Sequence, residues 1–175
     1  MLKKSILIIA LAVAGTINLS SAQTGEKGVM VGGAMMVPSK NIVENAMGST
    51  DHTTLVAAVK AAGLVETLSS AGPFTVFAPD NAAFDKLPKG TVEDLLKPEN
   101  KAKLTSILTY HVVAGSYTSK DLKNGMKLTT VQGETLMITK KGEAWMVNGV
   151  RIKIADVISS NGVTYVVDGV LMPKM

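Results

Sequence analysis

The sequence of 175 residues contains no cysteine. Disulfide bonds, cysteine-based metal sites and lipid anchors attached through a cysteine thiol are therefore excluded. Aromatic residues are also scarce, at 4%, whereas apolar residues make up 46% of the chain. Any hydrophobic core is therefore mainly aliphatic, and the length fits one domain with short appendages.

The chain also lacks the motifs of nucleic-acid binding and catalysis. No basic stripe is interleaved with aromatic side chains, so we expect no nucleic-acid partner. There is no Gly-x-Ser-x-Gly motif, phosphate-binding loop or His-rich spacing. Ser106 and His111 point in different directions on a helix, and Asp51 with His52 supplies too few ligands for zinc. We expect a protein that is not an enzyme and binds neither a metal nor another cofactor.

The N-terminus has the pattern of a secretory signal peptide over residues 1–22. Lys3 and Lys4 precede an apolar run over residues 5–17, and small residues occupy positions 20–22. The run is shorter than a membrane span, and no later apolar run reaches about 18 residues. We therefore expect export, cleavage near Ala22, and a mature chain without a membrane span. The mature protein would be periplasmic, secreted or associated with the cell surface.

The remaining chain divides into an arm and one domain. Residues 23–40 are rich in glycine and methionine without a clear period, which predicts a linker or N-terminal arm that is poorly ordered through at least Gly33. Residues 41–173 begin with helical patterns, including a helix that Asp51 caps. They continue with hairpin signals such as Asn148-Gly149. Helices followed by hairpins predict an α+β fold.

A strand that turns directly into a helix is predicted over residues 72–84. Residues 74–77 are aromatic or β-branched, and Pro79 cannot continue a central strand because it lacks an N–H group. Asp80 can then cap the helix that carries Phe84. Large rings on both sides of this corner predict that it packs in the core.

Three stretches together resemble the fasciclin family, a secreted adhesion domain found in periostin and in bacterial surface proteins. They are residues 75–84, the Tyr-His pair within 108–115, and residues 160–173. Their order and separation fit one fasciclin domain over residues 41–173. The resemblance implies a β-wedge or sandwich of about seven strands with a layer of helices packed on it. The residues that carry the structural signature are Thr75, Phe77, Pro79, Asp80, Phe84, Asn161, Gly162, Asp168 and Pro173. The chain departs from the family at Tyr165, where the closing signature usually has histidine.

Tyr110 and His111 have two interpretations. The resemblance implies that they belong to a recognition motif for cell-surface receptors. Helical spacing instead places His111 on one apolar stripe with Leu104, Ile107 and Leu108, where it would be a core residue with a hydrogen-bonding partner.

Asp156 and Val157 nearly match an Asp-Ile adhesion motif of some family members. By resemblance, an exposed Asp156 would bridge to a metal ion held by a receptor. The alternative is an ordinary solvated carboxylate at the end of a strand.

The resemblance implies a non-enzymatic adhesion protein whose partner is a cell-surface protein or polysaccharide. An alternative is a carrier of an apolar small molecule, because flexible thioethers suit apolar pockets. The resemblance implies that such a molecule would be a carotenoid or lipid. The methionines in the strand half are Met126, Met137, Met146 and Met172.

Overall fold

The computed structural model of the protein describes residues 27–174. The predicted signal peptide lies outside the described residues. The helices are α1 (Ile42–Gly48), α2 (Thr53–Ala62), α3 (Val65–Ser69), α4 (Asn81–Asp85), α5 (Thr91–Leu95) and α6 (Lys101–Tyr110), with short 3-10 helices at Thr50–His52 and Pro98–Asn100. The strands are β1 (Val29–Val31), β2 (Ala34–Met36), β3 (Phe74–Pro79), β4 (Val112–Ala114), β5 (Lys127–Thr129), β6 (Thr135–Lys141), β7 (Ala144–Val147), β8 (Val150–Ser159) and β9 (Gly162–Val167).

Seven of these strands form one sheet in the order β4-β3-β9-β8-β7-β6-β5. The β3–β9 pair is parallel and the other neighbours are antiparallel. An isolated bridge between Val113 and Thr130 brings the two edges of the sheet together. There the Val131 N–H donates to the Val112 carbonyl at 2.8 Å. The predicted α+β fold, a β-wedge or sandwich of about seven strands with a layer of helices packed on it, is confirmed, and one curled seven-stranded sheet supplies all these strands.

The parallel β3–β9 pair lies at the centre of the protein. Phe77 stands opposite Tyr165, and their rings stack with centroids 5.3 Å apart at an angle of 20°. A side chain at position 162 would place its Cβ 2.0 Å from the Phe74 carbonyl oxygen. Glycine has no Cβ, so it alone allows the first residue of β9 to lie this close to the backbone of β3.

Two main hydrophobic cores lie on either side of this pair. The helical core packs α1, α2, α3 and α6 against the β3 side chains Val76 and Ala78. The sheet core fills the inside of the curled sheet and contains Phe77, Tyr165 and aliphatic side chains of β5–β9. Because side chains alternate along β3, one strand contributes to both cores.

Part of the predicted N-terminal arm forms a hairpin instead of an irregular segment. β1 and β2 pair in antiparallel fashion around Gly32-Gly33, and a Cβ at Gly32 would meet the Ser49 hydroxyl at 2.3 Å. Val31 and Met36 face the body and pack with Val157 and Val166. Each strand has only three residues, too few for the alternation to be visible in the sequence.

The cap of α2 differs from the predicted one. The Asp51 side chain does not cap this helix; the Asp51 N–H instead donates to the Ser49 hydroxyl at 3.3 Å. The Thr54 N–H donates to Oδ1 of Asn81, the first residue of α4, at 3.1 Å. The prediction for Asp51 is therefore wrong, because a residue distant in sequence satisfies the end of the helix.

We expect Phe77→Ala to lower the free energy of unfolding by about 3–5 kcal/mol, because it removes a fully buried ring and leaves a cavity. Met137→Ala is the control, since Met137 lies in the same sheet with 43% of its surface exposed; we expect a change within about 0.5 kcal/mol. Urea titration measures both. A Phe77→Ala loss below about 1 kcal/mol would contradict the central role of this ring.

Candidate functional site

Tyr110 and His111 lie at the end of α6, and both are buried, with exposed fractions of 4% and 2%. The Tyr110 hydroxyl accepts a hydrogen bond from Nδ2 of Asn148 at 2.7 Å. Asn148 is in the turn between β7 and β8 and also accepts from the Met137 N–H at 2.8 Å. The phenol therefore connects the end of α6 to the far side of the sheet.

The His111 imidazole uses both ring nitrogens inside the protein. Nδ1 donates to the Ile107 carbonyl at 2.8 Å, and Nε2 accepts from the Leu171 N–H at 2.9 Å. This pattern fixes the neutral tautomer with the proton on Nδ1. Burial lowers the pKa of His111 from 6.5 to about 4. The ring joins α6 to the C-terminal segment, while its backbone carbonyl accepts from the Phe77 N–H at 2.9 Å.

Asp156 and Val157 lie at an irregularity in β8, where the register with β9 shifts between Ile154 and Val157. Asp156 has φ 56°, a conformation that aspartate adopts more readily than most residues. Its carboxylate accepts from the Ser119 N–H at 2.6 Å and also from the Ser119 hydroxyl. The Val157 side chain is fully buried under the β1–β2 hairpin. The structure therefore does not bring Asp156 and Tyr110 into one surface site.

Several signature residues connect segments that are distant in the sequence. Asn161 accepts from the Ile42 N–H at 3.0 Å and donates to the carbonyls of Leu68 and Ser70 at 2.7 and 2.8 Å. One amide side chain thus holds both α1 and α3 against the β8–β9 turn. Because all its polar atoms are buried or nearly so, losing one partner would leave groups unsatisfied.

Thr75 and Asp80 hold the two ends of β3. The Thr75 hydroxyl donates to the Gly115 carbonyl at 2.7 Å and accepts from the Tyr117 N–H at 3.0 Å. Asp80 follows β3 and caps α4 by accepting from the Ala83 N–H at 2.8 Å.

The other signature residues also have defined places in the structure. Pro79 ends β3 opposite Val167, and Phe84 packs in the helical core. The Asp168 N–H donates to the Arg151 carbonyl at 3.1 Å, and Pro173 is buried near the C-terminus.

Tyr165, where the resemblance implied histidine, lies in the sheet core. Its hydroxyl donates to the Tyr117 carbonyl at 2.7 Å, and burial raises the pKa of the phenol. The side chain therefore supplies one hydrogen bond and a large apolar ring at this position.

His52 is a second buried histidine that the sequence interpretation missed. Its Nδ1 lies 3.0 Å from the Ser49 hydroxyl, and its Nε2 has no hydrogen-bond partner among the described residues. Burial lowers the pKa of His52, while the charges of Asp51 and Asp80 oppose that shift. The signal was present, since positions 52, 55, 59 and 62 have helical spacing and the last three are apolar.

A cluster of charged side chains lies where β8 passes α4. Lys153 Nζ donates to the Asp80 carboxylate at 2.5 Å, and this hydrogen bond raises the pKa of Lys153. Lys86 Nζ donates to the Asp168 carbonyl at 2.5 Å and lies 3.8 Å from its carboxylate. The fifth charged residue, Arg151, has an exposed guanidinium without a hydrogen bond or ion pair to any described residue. These side chains line an open cleft of about 430 Å³.

A small apolar cavity lies in the helical core. Its volume is about 40 Å³, little more than the roughly 30 Å³ that one water molecule occupies in the liquid. The lining is mainly aliphatic and includes Val43, Leu55 and Val76, together with Met47. In this conformation the cavity is too small for a carotenoid or a lipid chain.

Within residues 27–174, no three His, Asp or Glu side chains are grouped so that they could hold a metal ion. No helix of the same range is long and apolar enough to cross a membrane.

Comparison with known proteins places this fold in a family. A model of the fasciclin domain matches residues 50–173. Protein sll1483 of Synechocystis is 49% identical over 160 residues, which cover 91% of this chain and 88% of that protein. Immunogenic protein MPB70 of Mycobacterium bovis is 40% identical over 133 residues, covering 73% of this chain and 66% of that protein. A FAS1 domain pair from the insect cell adhesion molecule fasciclin I superposes with a TM-score of 0.71 at 19% identity, covering 78% of this chain and 52% of that one.

Stability should fall in acid because the folded protein holds His111 neutral. The pKa of His111 in the folded protein is about 4, below the ordinary value of 6.5. The stability gained by keeping the imidazole neutral is therefore fully present above pH 6.5. This contribution is lost as the pH falls from 6.5 towards 4, and it amounts to about 3 kcal/mol. His52 contributes with the same sign.

Urea titration at pH 7 and pH 4 checks this prediction. His111→Asn cannot titrate, so its unfolding free energy should fall by about 3 kcal/mol less than that of the wild type over this range. His52→Asn separates the contribution of the second histidine. An unchanged pH dependence in His111→Asn would contradict the prediction.

Proposed function

The chain belongs to the fasciclin family, and from this membership we propose that it is an exported, non-enzymatic domain that mediates adhesion to a cell surface or extracellular matrix. The observation that carries the proposal is the match of the fasciclin domain over residues 50–173. The fold is shared with a domain of the insect cell adhesion molecule fasciclin I. Export rests on the signal-peptide pattern of residues 1–22.

The four residues that the resemblance assigned to recognition contribute to adhesion by stabilising the fold. Burial of the side chains of Tyr110, His111 and Val157 argues for this structural role. Asp156 has the same structural role, because its carboxylate accepts hydrogen bonds from the backbone and hydroxyl of Ser119. In this proposal these residues hold the fold that presents the surface, and the partner contacts other, exposed side chains.

Adhesion through one such domain is weak for each copy. A single domain of this size offers one modest contact surface, whereas several copies on one particle bind with much higher avidity. The experiment should therefore present the protein in many copies.

Beads coated with mature protein should attach to cells or matrix of the source organism. Beads coated with an unrelated protein of equal net charge are the control. Attachment that rises steeply with coating density is the expected result. Equal attachment of both kinds of bead at every density would overturn the adhesion proposal.

A carrier of an apolar small molecule has less support. The apolar cavity of about 40 Å³ would have to enlarge by separation of its helices before it held a carotenoid or lipid. Mass spectrometry of an organic extract of the natively purified protein tests this alternative. A carotenoid or lipid present in equimolar amount would favour the carrier function.

Substitutions at Tyr110, His111 and Asp156 show whether each side chain stabilises the fold or contacts the adhesion partner directly. We expect His111→Ala to lower the unfolding free energy by about 2–4 kcal/mol, because it leaves the Ile107 carbonyl and the Leu171 N–H unpaired. Attachment of beads should fall only as far as the folded fraction falls. Thermal melts recorded beside the attachment assay measure both quantities.

Tyr110→Phe and Asp156→Asn are the matched conservative variants, and both should keep attachment. Asp121→Asn serves as a control in the loop that contains Ser119, because Asp121 also accepts a backbone hydrogen bond there, from Thr118. Loss of attachment with an unchanged melt in either conservative variant would instead identify a contact residue.

A further inference from the structure

A second cleft adjoins the one between α4 and β8. It has a volume of about 440 Å³ and is lined by Lys141, Glu143 and Trp145 together with Arg151 and Lys153. Arg151 and Lys153 line both clefts. The two clefts thus meet at these side chains, and together they are called the basic groove, defined by Lys86, Lys141, Arg151 and Lys153.

The strand pattern of β8 explains why cations line this groove. Val150 and Ile152 pack on the sheet core, while Arg151 and Lys153 alternate with them and point outwards. Lys141 follows at the end of β6, two strands away in the sheet. The alternation gives β8 one face for the core and one face for solvent.

The cations of the groove differ in how far they are neutralised. Lys153 is paired with Asp80, and Lys86 lies beside Asp168. The side chains of Arg151 and Lys141 make no hydrogen bond or ion pair with the described residues. Glu143 is the third acidic residue of the lining. The groove thus carries four cations against three carboxylates, and the two unpaired cations are accessible.

Arg151 has the geometry that favours a carboxylate. A free guanidinium presents parallel N–H groups that match the two oxygens of a carboxylate, and Lys86 and Lys153 flank it as point charges. Trp145 also borders the adjoining cleft, but its ring packs against the sheet core, and Lys140 Nζ lies 5.4 Å from the centre of the ring. Recognition in the groove therefore depends on its charged groups, which fit a chain whose units carry both carboxylates and hydroxyls, as acidic sugars do.

We propose that the basic groove binds an anionic polysaccharide whose carboxylates pair with Arg151 and Lys141 and whose hydroxyls reach Asp168 and Glu143. This inference rests on the adhesion proposal, for which it names the partner. A nucleic acid or an anionic membrane fits less well, because such partners favour a strongly basic face. The groove instead mixes carboxylates among its cations, and hydroxyl groups can donate to them.

Binding of the mature protein to immobilised polygalacturonate tests the proposal. Neutral dextran, single-stranded DNA and phosphatidylglycerol vesicles are the comparison surfaces. We expect binding to polygalacturonate that weakens with added salt, and weaker binding to the other three. Equal or tighter binding to DNA or to the vesicles would overturn the choice of partner.

The double variant Arg151→Gln/Lys141→Gln should lose about tenfold or more in affinity, because charge-assisted hydrogen bonds contribute on that scale. Lys101→Gln/Lys103→Gln is the matched control. It removes the same charge from α6, which lines neither cleft of the groove. Its affinity should stay near that of the wild type. Both variants should melt like the wild type.

Arg151→Lys separates a specific site from general attraction. It keeps the charge but loses the paired N–H groups, so its binding should be weaker than that of the wild type. Wild-type affinity in Arg151→Lys, together with equal losses in the two double variants, would overturn the proposal.

The bead assay separates the two proposals. Beads that attach to cells although the protein does not bind polygalacturonate would overturn the groove and leave adhesion standing. Groove-dependent binding of polygalacturonate without attachment to cells would support the groove and overturn adhesion.

Discussion

The parallel pairing of β3 with β9 is the constraint on which the rest of the structure depends. It joins the first strand of the large sheet to the last, so the other five strands of that sheet and three helices lie between them in the sequence. Phe77 and Tyr165 stack across the pair, and Gly162 allows the backbones to approach. Because this contact is non-local, its loop-closure entropy must be offset by many other contacts formed with it.

Buried polar side chains provide part of that compensation. Asn161 connects the β8–β9 turn to α1 and α3, and His111 connects α6 to the C-terminal segment. The polar atoms of both side chains form hydrogen bonds with protein groups instead of water. These bonds can form only in one arrangement of the helices on the sheet. The residues that identify the family are therefore largely committed to the fold. Asp80 and Asp168 are exceptions, because they also line the basic groove.

In the function proposed here, binding is left mainly to residues that the fold does not require. β8 illustrates this division, because Val150 and Ile152 face the core while Arg151 and Lys153 face the basic groove. A change on the outer face alters what the surface contacts without disturbing the packing beneath it. Such a domain can change its partner by surface substitution while it retains its interior.

The sequence by itself determined the α+β class, the family and the order of most elements, because periodicity, turn residues and signatures are local properties. Only the tertiary structure decided what those residues do. The β1–β2 hairpin, the cap that Asn81 provides for α2, and the burial of His52 and Tyr110 depend on segments distant in the sequence. The approach of Lys86 on α4 to Arg151 on β8 has the same origin. A linear pattern records which side chains share a face, whereas the packing of the faces decides which side chains meet.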